Sequence, residues 1–361
     1  MKYQDEFRDR ELCQNFLQKI RRLTKSAIYL MEVCGTHTVS IFRSGIKDIL
    51  PENINLISGP GCPVCVTPVA DIDHIIALAK MNDTIIATFG DMLNVPGSSS
   101  SLKQEKAKGA DIRIVYSPFQ SLEIAQKFPY KKVILLGVGF ETTIPLLASV
   151  ALSATEKSLS NFYILTLGKV MPPIMKALLK TGETRIDGFI CPGHVSAIIG
   201  CKPYNFIPEE YNIPCVIAGF EPVDILAAIY RLIELKVTKN PIVDNQYTRA
   251  VKEDGNPLAI RKMEQVFTKV DSKWRGIGIV GNSGVDLRLK YSAINARNII
   301  VQPERTIENT ECRCGEVLRG LITPLQCPLF NKVCTPENPV GACMVSSEGT
   351  CAAYYKYSIE S

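Results

Sequence analysis

Residues 133–150 read VILLGVGFETTIPLLASV, and this stretch decides the class of fold. An apolar run ends at a glycine, a Gly-Phe-Glu turn follows, and an apolar helical pattern begins. Residues 216–229, VIAGFEPVDILAAI, repeat the same order. A strand that is apolar on both faces and leads into a helix is typical of a parallel sheet covered by helices. The two stretches therefore predict an α/β fold built from related strand–helix units.

Five further apolar runs end in the same way, at residues 27–33, 54–58, 84–89, 162–167 and 188–191. We expect two related α/β domains with parallel sheets flanked by helices, over residues 24–125 and 126–238. After residue 304 the chain is rich in Cys, Pro and Gly, and such a loop-rich segment needs a metal to hold it together. We expect this segment to belong to a third region, which combines residues 239–361 with an amphipathic helix in residues 1–23.

Charge and hydropathy exclude several classes of partner. The net charge of +5, from 41 basic and 36 acidic residues, is too small to predict binding to nucleic acid. No apolar stretch approaches the roughly 18 residues of a membrane span. The first ten residues are densely charged and lack the apolar core of a secretory signal. We therefore expect a cytoplasmic protein without a nucleic-acid or membrane partner.

The cysteines are the most informative residues of the composition. There are thirteen, an odd number that does not describe a disulfide framework in a cytosolic chain. Six lie between Cys312 and Cys351, and two more form the sequence Cys62-Pro63-Val64-Cys65. Thiols packed this closely along a chain indicate metal, cluster or thiol redox chemistry.

Polar residues follow the predicted strands, where ligands bind in parallel sheets. They are Cys34, His37, Cys62, Cys65, Asp91, Glu141 and His194. We expect the Cys-x-x-Cys pair to open a helix, which would lower the thiol pKa and allow a reversible disulfide or half a metal site. Cys34 and His37 equally fit packing roles. Taken singly, Asp91 and Glu141 fit helix capping or a first-turn interaction with the helix dipole better than a functional role.

The six cysteines of the C-terminal segment are Cys312, Cys314, Cys327, Cys334, Cys343 and Cys351. They lack the two close pairs that a structural zinc site usually shows. A 4Fe-4S cluster needs four thiolates and tolerates wider, irregular spacing, so two thiols would remain for electron exchange. A zinc knot with two spare buried thiols stays open as the alternative.

Several motifs in a fixed order resemble those of the HypD family of NiFe-hydrogenase maturation factors. They are CGTHT at 34–38, GPGCPVC at 59–65, GFETT at 139–143, PGHVS at 192–196 and the cysteine-rich tail. The resemblance runs nearly from end to end. It implies an assembly scaffold that, with the small partner HypC, holds the iron on which the Fe(CN)2CO group is built, while HypE delivers cyanide.

The resemblance also implies roles for individual residues. It places a 4Fe-4S cluster on Cys312, Cys327, Cys334 and Cys351. It makes Cys314 and Cys343 an extra pair that exchanges electrons between this cluster and Cys62 with Cys65. It assigns the iron, a ferrous ion carrying cyanide and CO, to Cys34 with His37 alongside. We further expect Asp91, Glu141, His194 and Glu348 to orient ligands or tune protonation around this site.

Two other classes of function fit parts of the sequence. A cluster beside a dithiol is also typical of a thiol–disulfide reductase of the ferredoxin–thioredoxin reductase type, which would not need Cys34. A zinc-stapled α/β binding protein would need neither Cys62 nor Cys65.

Overall fold

The structure, a computed structural model, describes residues 5–358. Its strands are β1 (Ile28–Glu32), β2 (Ile54–Ser58), β3 (Thr84–Thr88), β4 (Asp111–Ile114), β5 (Lys132–Gly137), β6 (Phe162–Thr166), β7 (Gly188–Pro192), β8 (Cys215–Ala218), β9 (Val243–Asn245), β10 (Phe267–Trp274) and β11 (Gly278–Leu287).

The helices cover the faces of the sheets and connect the strands. They are α1 (Arg10–Leu23), α2 (Gly35–Arg43), α3 (Ile46–Ile49), α4 (Val69–Ala79), α5 (Leu102–Ala107), α6 (Gln120–Lys127), α7 (Ile144–Glu156), α8 (Met171–Thr181), α9 (Gly193–Ile199), α10 (Phe206–Tyr211), α11 (Pro222–Val237), α12 (Pro257–Val266), α13 (Cys314–Leu318) and α14 (Thr350–Ser358).

Two parallel sheets form the body of the protein. Sheet A has the order β2-β1-β7-β8-β9, and sheet B has the order β4-β3-β5-β6. Strands β10 and β11 form a separate antiparallel hairpin. The α/β fold with parallel sheets flanked by helices is therefore confirmed, and all seven apolar runs are strands. The two parallel strands without such a run, β4 and β9, are both short edge strands.

The sheets do not follow the expected ranges 24–125 and 126–238. The first range supplies β1 and β2 to sheet A but β3 and β4 to sheet B. The second supplies β5 and β6 to sheet B but β7 and β8 to sheet A. The chain leaves sheet A after β2, builds sheet B, and then returns. Because every run has the same strand–helix pattern, the sequence alone does not show which strands pair.

The N-terminal helix packs on sheet A and not with the cysteine-rich tail. It begins at Arg10, where Asp9 accepts a hydrogen bond from the Leu12 amide at 2.9 Å, and residues 1–4 lie outside the described residues. Its Phe16 ring contacts Tyr230 of α11, with ring centres 5.9 Å apart. Its buried residues Leu17 and Ile20 join the apolar core on that face of sheet A.

The largest apolar core joins both sheets to the cysteine-rich tail. It contains Phe189 of sheet A and Ile134 of sheet B together with Cys314 and Cys343. The tail therefore shares the core of the body, although it has little regular structure of its own. Within residues 5–358, no helix is long and apolar enough to cross a lipid bilayer.

The central position of β5 gives a test of this core. Ile134 is fully buried, so we expect Ile134→Ala to lower the free energy of unfolding by about 2–5 kcal/mol. The matched control Ile300→Ala removes the same atoms from a side chain that is 94% exposed and should change it by less than ~0.5 kcal/mol. Denaturant unfolding would measure both, and equal losses would contradict the placement of β5.

Candidate functional site

Three loops meet at the carboxyl end of β1 and β2. The first carries Cys34 and leads into α2, and the second contains Gly61 and the Cys-x-x-Cys pair. The Gly35 amide donates a hydrogen bond to the Gly61 carbonyl at 3.0 Å. A Cβ on Gly61 would overlap the backbone of Cys34, so only glycine allows this approach. The third loop comes from the tail and brings Glu348 against Gly35.

Cys34 lies at the start of α2 in a buried, acidic environment. Burial raises the pKa of its thiol to about 12, and negative charge on Glu348 and Glu32 contributes, which outweighs the backbone N–H groups of the first helical turn. The Cys34 amide donates a hydrogen bond to Glu32 Oε2 at 2.9 Å. Burial also raises the pKa of Glu32 to about 7. The thiol is therefore protonated at neutral pH and must lose a proton to bind a metal.

His37 is fully buried one turn along α2. Its Nε2 lies 2.9 Å from the Gly219 carbonyl oxygen, which requires the hydrogen on Nε2. Its Nδ1 has no hydrogen-bond partner among the described residues. Burial lowers the pKa of His37 to about 4, so the ring is neutral and Nδ1 keeps a free lone pair.

Phe220 packs against both His37 and His194. The two imidazole rings lie 4.6 Å and 4.0 Å from the Phe220 ring, measured between ring centres. Phe220 follows β8, and His194 lies in the first turn of α9 after β7. The carboxyl ends of β1, β7 and β8 therefore bring these three rings together.

The tail connects this region to Asp91. Glu348 Oε1 accepts a hydrogen bond from the Thr36 hydroxyl at 2.7 Å. The Ser346 hydroxyl donates to Asp91 Oδ2 at 2.9 Å, which joins the end of sheet A to the segment after β3 of sheet B. The tail segment that contains Ser346 and Glu348 is thus hydrogen-bonded both to Asp91 and to Thr36.

Glu141 lies in a different environment. Its Oε1 accepts a hydrogen bond from the Met171 amide at the start of α8 at 2.8 Å, whereas Oε2 has no partner among the described residues. Burial raises its pKa to about 7. The residue lines a separate cavity of about 630 Å³ beside α8, α10 and α12, so its hydrogen bond ties it to α8 and not to the Cys34 loop.

The Cys62–Cys65 pair lies in a turn and does not open a helix as expected. The turn covers residues 63–66, and α4 begins only at Val69. Both thiols are buried, and burial raises the pKa of Cys65, contrary to the lowering expected from a helix N-terminus. The Cys65 amide donates a hydrogen bond to Cys62 Sγ at 3.4 Å.

A chain of thiols links this turn to the tail. The thiols of Cys65, Cys314 and Cys351 all lie within hydrogen-bonding reach of Cys343 and hold its pKa well below the usual range. Cys314 in turn contacts Cys312, and this hydrogen bond lowers the pKa of Cys312 to about 7. None of the thirteen cysteines, all within residues 5–358, forms a disulfide. The cysteines that the sequence predicts to be redox-active therefore lie close together in space.

The four candidate cluster ligands surround a common region. Burial raises the pKa of Cys334, and negative charge on Cys312 and Cys327 raises it further. The pKa of Cys351 is raised by its hydrogen bond with Cys343 and by burial, with contributions from Cys334 and Cys312. Cys312, Cys327 and Cys351 therefore each lie within electrostatic range of Cys334.

Backbone groups around these sulfurs suit a cluster. The Val340 amide donates a hydrogen bond to Cys334 Sγ at 3.4 Å, and a Cβ on Gly341 would lie 2.8 Å from Cys312 Sγ. Among residues 5–358, no three His, Cys, Asp or Glu side chains are arranged to hold a single metal ion. A 4Fe-4S cluster binds each cysteine through a different iron and does not require the sulfurs to converge on one point. The donor set therefore fits such a cluster.

Comparison with known proteins agrees with this arrangement. The statistical model of the HypD family, described as "Hydrogenase formation hypA family", matches residues 11–358. The chain belongs to the HypD family. It is 42% identical to the hydrogenase maturation factor HypD of Escherichia coli K12, over 99% of this chain and 98% of that protein.

Two other relatives match this chain over nearly its whole length. The hydrogenase maturation factor HypD2 of Bradyrhizobium diazoefficiens is 44% identical, over 99% of this chain and 97% of that protein. A putative hydrogenase expression/formation protein of Methanocaldococcus jannaschii is 45% identical, over 97% of this chain and 98% of that protein. The similarity therefore covers both sheets and the tail of this HypD chain.

Two residues of the site were not predicted from the sequence. Glu32 is a buried carboxyl group that accepts a hydrogen bond from the Cys34 amide, and the single charge inside the apolar run 27–33 could have indicated it. Phe220 packs against both histidines, and its position in the repeated Gly-Phe-Glu turn could have indicated it.

The close approach of the first two loops of this HypD site gives a test. We expect Gly61→Ala to lower the free energy of unfolding by about 1–3 kcal/mol, because the new methyl group would push the backbone of Cys34 away. The control Gly90→Ala meets no atom within 4 Å and should be close to neutral. Thermal or denaturant unfolding would measure the stability of both variants. Equal stability of Gly61→Ala and Gly90→Ala would contradict the contact between Gly61 and the Cys34 backbone.

The buried environment of Cys34 predicts a pH profile. With its pKa raised to about 12, the thiolate fraction and the alkylation rate should rise about tenfold per pH unit from pH 7 to 10. Peptide mass spectrometry after timed reaction with iodoacetamide would measure this rate in iron-free protein. A rate that levels off near pH 9 would show an ordinary thiol and overturn the assignment.

Proposed function

We propose that this hydrogenase maturation protein is a redox-active scaffold for assembly of the Fe(CN)2CO group of NiFe hydrogenase. The observation that carries the proposal is the chain of thiols from Cys62 and Cys65 through Cys343 to Cys314 and Cys351. It connects the loop beside Cys34 to the candidate cluster ligands. A binding module without redox chemistry has no need of such a path through its core.

Cys34 is the proposed tether for the iron. Iron that carries cyanide and CO is electron-rich and soft, and a thiolate suits it. The buried thiol is protonated until metal replaces its proton. Glu32, whose pKa is about 7 and whose charge acts on this thiol, is the proposed acceptor of that proton. The neutral His37 presents Nδ1 without a partner, which leaves this atom free to contact the iron or one of its ligands.

The remaining polar residues of the loops have positioning roles in this proposal. Glu348 holds Thr36 in the first turn of α2, and Asp91 holds Ser346 of the same tail segment. His194 is kept against Phe220 at the edge of the site. Glu141 acts at the start of α8, where it orients the helix through Met171.

The tail cysteines would hold a 4Fe-4S cluster on Cys312, Cys327, Cys334 and Cys351. A bound cluster supplies and accepts single electrons. Cys314 and Cys343, which are in hydrogen-bond contact, would exchange electrons in pairs as a dithiol and disulfide. Cys343 also contacts Cys65, so the same exchange can pass to the Cys62–Cys65 pair.

The proposed partners follow from the family. HypC would supply a second thiolate to the iron held by Cys34, and HypE would deliver cyanide as a protein thiocyanate. The assembly would take place in the cytoplasm.

The first test is the metal content of the anaerobically purified chain. We expect a brown protein with about four iron and four sulfide per chain, and loss of both in Cys327→Ser. The matched control Cys13→Ser changes a half-buried thiol of α1, far from the tail, and should keep the cluster. Stoichiometric zinc without visible absorbance would overturn the cluster assignment.

A second test addresses Cys34. In a strain that lacks its own HypD, we expect wild type and Cys13→Ser to restore hydrogenase activity and Cys34→Ser to abolish it while keeping its iron and sulfide. Full activity of Cys34→Ser would instead support a free-standing thiol–disulfide reductase.

A further inference from the structure

A cavity of about 340 Å³ opens onto the thiols of the tail. Cys312 and Cys314 lie in its wall, together with Ser98 and Asn309. Its volume is within the range of small-molecule sites, roughly 300–1,000 Å³. The functional proposal above gives roles to these two cysteines but assigns no ligand to the cavity itself.

Arg275 gives this cavity a positive wall. The side chain is only 7% exposed, and its Nε and Nη2 donate hydrogen bonds to the carbonyls of Thr67 at 2.7 Å and Pro96 at 3.5 Å. No carboxylate oxygen of residues 5–358 lies within 4 Å of its guanidinium nitrogens. The charge of Arg275 acts on the neighbouring Cys312 thiol and lowers its pKa. A buried cation without a paired carboxylate is costly, and an anion bound in the cavity would offset that cost.

The acidic residues nearest the cavity are already engaged. Glu308 lines it but lies 3.6 Å from Lys273 in an ion pair. Asp73 accepts hydrogen bonds from the Ser98 hydroxyl at 2.7 Å and from the Thr306 hydroxyl at 3.0 Å. Neither carboxylate pairs with Arg275, so its guanidinium group can still pair with the carboxylate of a ligand.

Cys314 connects the cavity to the interior thiols. Of the redox cysteines outside the cluster set, Cys62, Cys65 and Cys343 have side chains at most 2% exposed and do not line the cavity. Cys314 lines it and also contacts Cys343. A reductant in this cavity would thus reach the internal thiols through Cys314.

We propose that this cavity binds a small thiol bearing a carboxylate, which pairs with Arg275 and reduces a Cys314–Cys343 disulfide. The thiolate attacks Cys314 Sγ, an S–S bond to the ligand forms, and Cys343 leaves as a thiolate. A second ligand thiolate attacks the ligand sulfur of this mixed disulfide and releases Cys314. Two ligand thiols are oxidised to one disulfide, one protein disulfide is reduced, and the two protein thiolates take up the ligands' protons.

This inference rests on the redox role proposed for Cys314 and Cys343, and its first test does not depend on iron. Full-length protein, purified anaerobically, is alkylated with iodoacetate or iodoacetamide, and the rate at Cys314 is measured by peptide mass spectrometry. The two reagents differ in charge, so the ratio of their rates reports the field in the cavity. Cys13 serves as the internal reference.

We expect the iodoacetate-to-iodoacetamide ratio at Cys314 to exceed that at Cys13, and to fall about tenfold in Arg275→Gln. Arg275→Lys should keep most of the preference. The control Lys273→Gln removes a neighbouring but exposed charge and should leave the ratio nearly unchanged. Equal ratios at Cys314 and Cys13 in the wild type, or an unchanged ratio in Arg275→Gln, would overturn the anion site.

A variant at the cavity mouth keeps the proposal testable if Arg275→Gln does not fold. Ile307 lines the cavity and is 67% exposed, so Ile307→Trp narrows the opening at little cost in stability. This variant should lower the alkylation rate of Cys314 with both reagents and leave the rates at Cys13 unchanged. Unchanged rates at Cys314 would show that reagents arrive by another route.

The reduction step is tested with mercaptoacetate and 2-mercaptoethanol at equal thiolate concentration. After mild oxidation of the full chain, we expect mercaptoacetate to reduce the Cys314–Cys343 disulfide faster, and Arg275→Gln to remove this advantage. Equal rates in the wild type would refute the choice of ligand. If the chain proves to hold zinc and no cluster, the functional proposal fails, whereas these ratios still decide the anion site.

Discussion

Contacts that only glycine permits hold the candidate site together. Gly61 lies against the backbone of Cys34, and Gly35 lies against Glu348, where a Cβ would come within 2.5 Å of the Glu348 carbonyl oxygen. The loops after β1 and β2 and the tail can therefore pack backbone to backbone. This packing buries Cys34 and His37, and burial in turn sets the protonation of both.

Burial outweighs the effect of the helix N-terminus at Cys34. A thiol at a helix N-terminus is ordinarily acidified, yet the pKa of Cys34 is raised because desolvation penalises its anion more than the first-turn amides stabilise it. The same competition gives the opposite result at Cys343, where three neighbouring thiols donate to one sulfur. The Cys34 thiol is thus protonated at neutral pH, whereas the Cys343 thiol ionises readily.

The sequence was a good guide to local structure and a poor guide to pairing. Seven apolar runs became strands because a buried parallel strand must be apolar on both faces. The runs could not show that β1 pairs with β7 and not with β3, since every unit has the same pattern. The motifs pointed to thiols that the structure brings close together, but Arg275 is an ordinary residue in the sequence, and only its burial without a paired carboxylate distinguishes it.

The route of the chain between the sheets affects the order of folding. All strands of sheet B lie between Thr84 and Thr166, so its ladder can be completed as soon as this continuous segment has been synthesised. Sheet A begins with β1 but must wait for β7, whose Gly188 pairs with Leu30. Pairing across so long an interval of chain is intrinsically slow, and the unpaired edge of β1 stays exposed in the meantime. On the ribosome, Cys34 therefore emerges early but acquires its buried surroundings among the last, once the tail has been made.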